Sequence, residues 1–150
     1  MSADRPIPRA VHWVREGREL RWTHHLHDGL RIVETVYTGQ QPGTTQELQT
    51  AAESSLKLAA ERGHHLFLSD CSGVTGGSSI LPAYEVGDFY SRLPLPRNLR
   101  EAIVLPRDEA AAAGLRFYET TVRNRGFAVR AFADRNQALE WLVSNRPAAD

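Results

Sequence analysis

Hydrophobic and polar positions change period several times along this chain, and each change predicts an element. Over residues 19–27 they alternate. Leu20, Trp22, His24 and Leu26 fall on one side of an extended chain and Arg21, Thr23, His25 and His27 on the other, the period of a half-buried strand. Residues 10–14 predict a short strand before it and residues 30–37 a return strand after it. Asp28-Gly29 reads as the hairpin turn, because glycine accepts the positive φ that tight turns need. Beyond the break at Pro42-Gly43 the period becomes helical. Thr44 and Glu47 form a capping-box pattern, Gly63 follows Arg62 as a stop, and Leu48, Ala51, Ala52, Ser55 and Ala59 make a small-residue inner face suited to close packing on a sheet.

The second half repeats a strand–helix rhythm. Residues 65–69 predict a buried strand, and Asp70 opens a polar, glycine-rich loop to Ser79. Pro82 starts a helix carrying Val86, Phe89, Tyr90 and Leu93 at helical spacing, ended by Pro94 and Pro96. Residues 101–105 predict a strand. Asp108 then caps a long helix with Ala111, Leu115, Tyr118 and Val122 along one side, closed by Gly126. Residues 127–132 predict the last strand, and residues 134–142 the last helix. Strands that alternate with helices require crossovers, so the expected fold is α/β: a mixed, largely parallel sheet with an N-terminal hairpin and about four helices.

Length and composition bound the rest. The chain has 150 residues, enough for one domain with a real core. We expect that domain over 10–143, with a flexible lead-in at 1–9 that holds Pro6 and Pro8 and a tail at 144–150. Eighteen basic and eighteen acidic side chains cancel, where a general nucleic-acid or anionic-membrane binder would carry a basic excess. One cysteine excludes an internal disulfide framework and fits a reducing compartment. The first residues lack the apolar core of a signal peptide, and no apolar run is long enough for a bilayer span. A cytoplasmic protein is the expectation.

The C-terminal stretch Ala131-Phe-Ala-Asp-Arg-Asn-Gln-Ala-Leu-Glu-Trp-Leu142, in this element order, resembles the SpoIIAA-like branch of the STAS superfamily, which includes STAS/SEC14-type proteins. The resemblance runs from about Arg18 to Leu142. The segment Asp70-Cys-Ser-Gly-Val-Thr-Gly-Gly-Ser-Ser-Ile80 also resembles the anti-sigma-factor-antagonist stretch D-L-S-G-V-x-F-x-D-S-S-G-L. Asp70, Ser72, Gly73 and Val74 match its first half, and Ser78 and Ser79 match its paired serines. The resemblance implies a phosphoacceptor at the second of the pair, Ser79. Gly77 replaces the usual preceding Asp and Ile80 the following Gly, and Asp70-Cys71-Ser72-Gly73 itself is similar to D-S-S-G, so Ser78 and Ser72 stand as alternatives.

The function so implied is a non-enzymatic regulatory module. It would dock a protein partner, a regulator or a kinase-like protein, through the loop of Asp70, Cys71, Gly73, Thr75, Gly76 and Gly77. A phosphate on a serine at a helix N-terminus is stabilised by outward N–H groups and adds about two negative charges to a docking surface. The alternative is a carrier of a small apolar ligand or lipid in a pocket between helices and sheet, with Val86, Phe89, Tyr90, Leu115 and Tyr118 as lining candidates. A homodimer through the free sheet edge is compatible with either.

Other chemistry is thinly represented. His25 and His27 share a strand face, and His12 is the nearest third ligand, but two same-face histidines make a polar sheet face more readily than a metal site. Cys71 follows a carboxylate that opposes thiolate formation. Thr75-Gly-Gly-Ser-Ser79 lacks the lysine of a phosphate-binding loop. No catalytic constellation, metal or cofactor is expected.

Overall fold

The computed structural model describes residues 4–15, 18–40, 45–75, 92–93, 95–96 and 98–144, with side chains within 21–39, 52–75 and 92–144. Six strands form one sheet in sequential order: β1 (Asp4–Arg15), β2 (Arg18–His27), β3 (Ile32–Gln40), β4 (Leu66–Thr75), β5 (Arg100–Val104) and β6 (Ala128–Phe132). The first three pair antiparallel, and β3 to β6 pair parallel. Three helices are described: α1 (Thr45–Arg62), α2 (Glu109–Arg123) and α3 (Arg135–Ser144). The fold is thus α/β with a mixed sheet. The helix expected over 82–93 lies outside the described residues, apart from its last two positions.

Strand order places the helices. Each parallel step moves one position in the same direction, so right-handed crossovers bring α1 and α2 to the same face. That inner face packs in two clusters: Leu26, Val33, Phe67, Leu56 and Ala59 under α1, and Cys71, Ile103, Val129, Ala111 and Val122 under α2. α3 follows the last strand and turns back over the opposite face. There Ala138 and Leu142 close on Ile32, Leu66, Leu68, Ala102 and Val104.

Four predicted helix ends hold, while the Thr44–Glu47 capping box and the Pro82 start lie outside the described residues and side chains. Asp108 accepts a hydrogen bond from the Ala111 amide at 3.2 Å, and Asp134 accepts one from Asn136 at 3.0 Å. α1 and α2 each finish on a glycine at positive φ, Gly63 (71°) and Gly126 (93°). Paired return bonds accompany both: His64 N–H to Ala59 O with Gly63 N–H to Ala60 O, and Phe127 N–H to Val122 O with Gly126 N–H to Arg123 O.

Three local expectations are corrected. β1 starts at Asp4 and pairs back to His27, so the segment from Asp4 to Arg9 is strand rather than loose lead-in. Pro6 and Pro8 fit because β1 is an edge strand, where a missing N–H is tolerated. The hairpin turn spans Asp28 to Arg31, and the positive φ (60°) falls on Arg31, not on Gly29. Finally, Asp70 does not open a loop. β4 runs on to Thr75. Val36 pairs with Asp70 and Thr38 with Gly73, so β4 holds one more residue than β3 there, a bulge. Asp70 Oδ1 braces it by accepting from Ser72 N–H (3.0 Å) and Ser72 Oγ–H (2.7 Å). At Gly73 a Cβ would sit 3.1 Å from Thr38 Cγ2, so the bare backbone lets β3 approach. Turn-forming residue types here serve a bulge inside a strand, which is why they read as a loop.

Candidate functional site

Strand alternation directs Trp22, His24, Thr35, Tyr37, Phe67, Ser69, Cys71 and Glu101 to the inner face. Several of these are polar, and they meet in a row. Thr35 pairs directly with Ser69 across β3 and β4, and Ser69 Oγ–H donates to Glu101 Oε2 of β5 at 2.7 Å. Tyr37 continues the row along β3. A cavity of about 80 Å³ lies over it. Its floor is Thr35, Tyr37, Phe67, Ser69 and Glu101. Its walls are Ala52, Ser55 and Leu56 of α1 and Tyr118 of α2, and Leu93, Leu95 and Leu99 also belong to the described lining. Polar groups on one side and leucines on the other make it amphipathic, the usual make-up of a small-molecule site.

Burial raises the Tyr37 hydroxyl above its ordinary value, and neighbouring Cys71 and Glu101 push the same way, so the group stays a protonated donor. Burial likewise pushes the Cys71 thiol up, helped by Glu101 and Asp70. A neutral, buried thiol is a core residue and not a nucleophile. No lining residue among those described is Lys, Arg or His.

Beside the cavity, His24 is fully buried. Its Nδ1 lies 2.8 Å from Thr35 Oγ1 and its Nε2 lies 2.7 Å from Ser54 Oγ of α1. The imidazole ties the helix to the sheet at the edge of the site. On the opposite face Glu34 receives Arg135 through both guanidinium contacts (3.0 and 2.8 Å) and lies 2.7 Å from His27 Nε2. Burial raises the Glu34 carboxyl, but the hydrogen bonds and charges of Arg135 and His27 outweigh it and hold the group below its ordinary value of 4.5. The His25–His27 pair is thereby divided, since His27 serves Glu34. Among the described residues no three His, Cys, Asp or Glu side chains come together as a metal site.

The residues singled out from the sequence fare unequally. Tyr118 lines the cavity, and Leu115 packs beside it in the cluster around Cys71. Val86, Phe89 and Tyr90 lie outside the described residues, as do Gly76, Gly77, Ser78 and Ser79. Ser72 is exposed, Asp70 half-buried and Cys71 buried. Thr75 is exposed and its hydroxyl donates to Gly39 O at 3.3 Å. Thr35, Tyr37, Ser69 and Glu101 were not anticipated, and Ser55 only as a packing residue of α1. The signal of the first four was present as polar residues in register with the apolar side of predicted strands. No protein-family model matches the chain, and no curated protein matches its sequence. No helix of the described residues is long and apolar enough to cross a membrane.

Proposed function

We propose that this protein is a non-enzymatic binding module whose site is the cavity between the sheet, α1 and α2, and that it carries a small amphipathic ligand there. The observation that carries the reading is the cavity itself, with a hydrogen-bonding row on its floor and leucines opposite. Ligand sites are concave and mostly apolar with a few polar groups placed among them, and this half-open pocket between two crossover helices has that make-up. Its size suits a few heavy atoms: a cavity of about 150 Å³ takes benzene. The SpoIIAA-like assignment belongs to the same proposal. Its support is the order of elements, an antiparallel entry followed by strand–helix units and the closing strand, Asp134 and α3.

A second reading, the phosphorylation-switched regulatory module, is favoured by one observation: Ser72 is exposed near the end of a central strand. Asp70 already takes its hydroxyl, and a phosphate there would meet that carboxylate. Mass spectrometry of protein purified from its native host tests both readings, run under native and then denaturing conditions. The carrier predicts an added mass under native conditions that is lost on denaturation and is absent from a cavity-filled Ala52→Leu variant. A denatured mass raised by one phosphate on Ser72, Ser78 or Ser79 would favour the switch. A bare chain, together with no response of cavity residues to small amphiphiles, sinks the carrier.

A further inference from the structure

We propose that Glu119 guards the β6 edge of the sheet. Its carboxylate occupies an outward amide of that strand and keeps β6 of a second copy of this chain from pairing there. Among the described residues β6 is an outermost strand, bonded to β5 on its inner side. Such an edge presents a row of N–H and C=O groups, a template for another chain. Successive residues of a strand turn these groups to alternate sides. Phe132 O accepts from Leu105 N–H at 2.8 Å, so Phe132 faces β5. Ala131 and Val129 therefore face outward. Both of their N–H groups are taken within the chain. Val129 N–H turns back onto Phe127 O at 3.1 Å, and Ala131 N–H donates to Glu119 Oε2 at 2.9 Å.

Glu119 belongs to α2, and its side chain is 13% exposed. Covering a carboxylate to that degree costs hydration, which a hydrogen bond must offset. Among the described residues that bond comes from Ala131. The other contact, Arg123 Nη1, stands 3.7 Å away on a largely exposed side chain and holds the group loosely. The bond from a backbone N–H to an ionised acceptor is among the stronger kinds, and an incoming strand would offer a neutral carbonyl instead. Composition makes this edge worth guarding. β6 reads Ala-Val-Arg-Ala-Phe, with one charge and no proline. The opposite edge strand, β1, holds Pro6 and Pro8, which lack an N–H outright. The excluded partner is a second copy because the edge is self-complementary. Two β6 strands laid antiparallel about Arg130 would set Val129 of each opposite Ala131 of the other, the two outward residues. The exposed Arg130 side chains would then face each other, a second deterrent.

Two substitutions in the full chain test this. Glu119→Gln keeps an oxygen acceptor for Ala131 N–H, and Glu119→Ala removes it. Sedimentation velocity across a concentration series reads association, and NMR hydrogen exchange reads the Ala131 amide. Glu119→Ala should gain a concentration-dependent association step that wild type and Glu119→Gln lack. At low concentration its Ala131 amide should exchange about tenfold faster than in wild type. At high concentration protection should return as the edges pair. Arg123→Ala, which leaves the carboxylate on the amide, should match wild type. Equal association of Glu119→Gln and Glu119→Ala would overturn the proposal, because lost charge and not an opened amide would then drive it. An unchanged association state in Glu119→Ala would overturn it too, as would association with Ala131 still exchanging fast. Should Glu119→Ala fail to fold, wild type and Glu119→Gln decide: a protected Ala131 amide in both supports the guard, and an unprotected one overturns it.

Discussion

The two faces of the sheet solve the same problem in opposite ways. Under α3, Ile32, Leu66, Leu68, Ala102 and Val104 meet Ala138 and Leu142 in a purely aliphatic contact. Trp141 closes its margin, tilted against Phe132 (centroids 5.8 Å apart) and beneath the Arg100 guanidinium at 5.2 Å. The charge on that face is matched, with Glu34 held between Arg135 and His27. Under α1 and α2 the sheet carries hydroxyls, an imidazole and a carboxylate, and the packing leaves a void over them. One face is closed by aliphatic contact and the other keeps a pocket lined by polar side chains. The same strands serve both, because successive side chains point to opposite sides.

Substitutions should therefore separate stability from binding according to the face they touch. The largest effect is expected from Leu68→Ala, on the α3 side at the centre of the sheet. Loss of a fully buried leucine leaves a cavity and should cost about 2–5 kcal/mol in urea unfolding, without changing the response of cavity residues to small amphiphiles. Should that response disappear in a variant that still folds, the faces are not independent.

Glu34→Gln comes next. It keeps the shape but removes the charge that Arg135 and His27 bind, and should cost about 1–3 kcal/mol at neutral pH. The pH dependence has a definite sign. The Glu34 carboxyl is held below its ordinary value of 4.5 in the folded protein, so its contribution is present above that value and is lost as pH falls through the lower, folded value. Urea midpoints of wild type and variant should converge in strong acid and separate above about pH 5. A constant gap across that range would show that the ion pair contributes nothing beyond shape.

The smallest stability effect is expected on the cavity floor. Ser69→Ala removes one hydrogen bond to Glu101 beside an existing void and should change stability by about 0.5–1.5 kcal/mol. Its effect on ligand affinity should exceed its effect on folding. The reverse ranking, with a large loss of stability and unchanged binding, would make the Ser69–Glu101 pair a structural bond and break the contrast between the faces.

Legibility followed the range of the interaction involved. Asp108, Asp134, Gly63 and Gly126 were readable because caps are local: a side chain or a positive φ satisfies backbone groups within a few residues. The alternation over β2 located Trp22, His24 and Leu26 on the buried side for the same reason. The run from Asp70 to Gly73 misled because a bulge and a loop use the same residue types, and only the partner strand tells them apart. Arg31, rather than Gly29, took the left-handed conformation because the turn is longer than the two-residue form. Of the site, Tyr118 was found by helical spacing. Glu101 and Ser69 were not, since their bond joins residues far apart in the chain.

The sequence by itself determined the α/β class, the antiparallel entry, the caps at Asp108 and Asp134 and the side each residue of β2 would take. These depend on period and on neighbours within one turn or one hairpin. Only the tertiary structure decided that Thr35, Ser69 and Glu101 form one row, that His24 reaches Ser54, and that Glu34 meets Arg135 across the chain. Strand order and register set those meetings. They arise from packing whole elements together, and a cavity exists only once its walls have come from several of them.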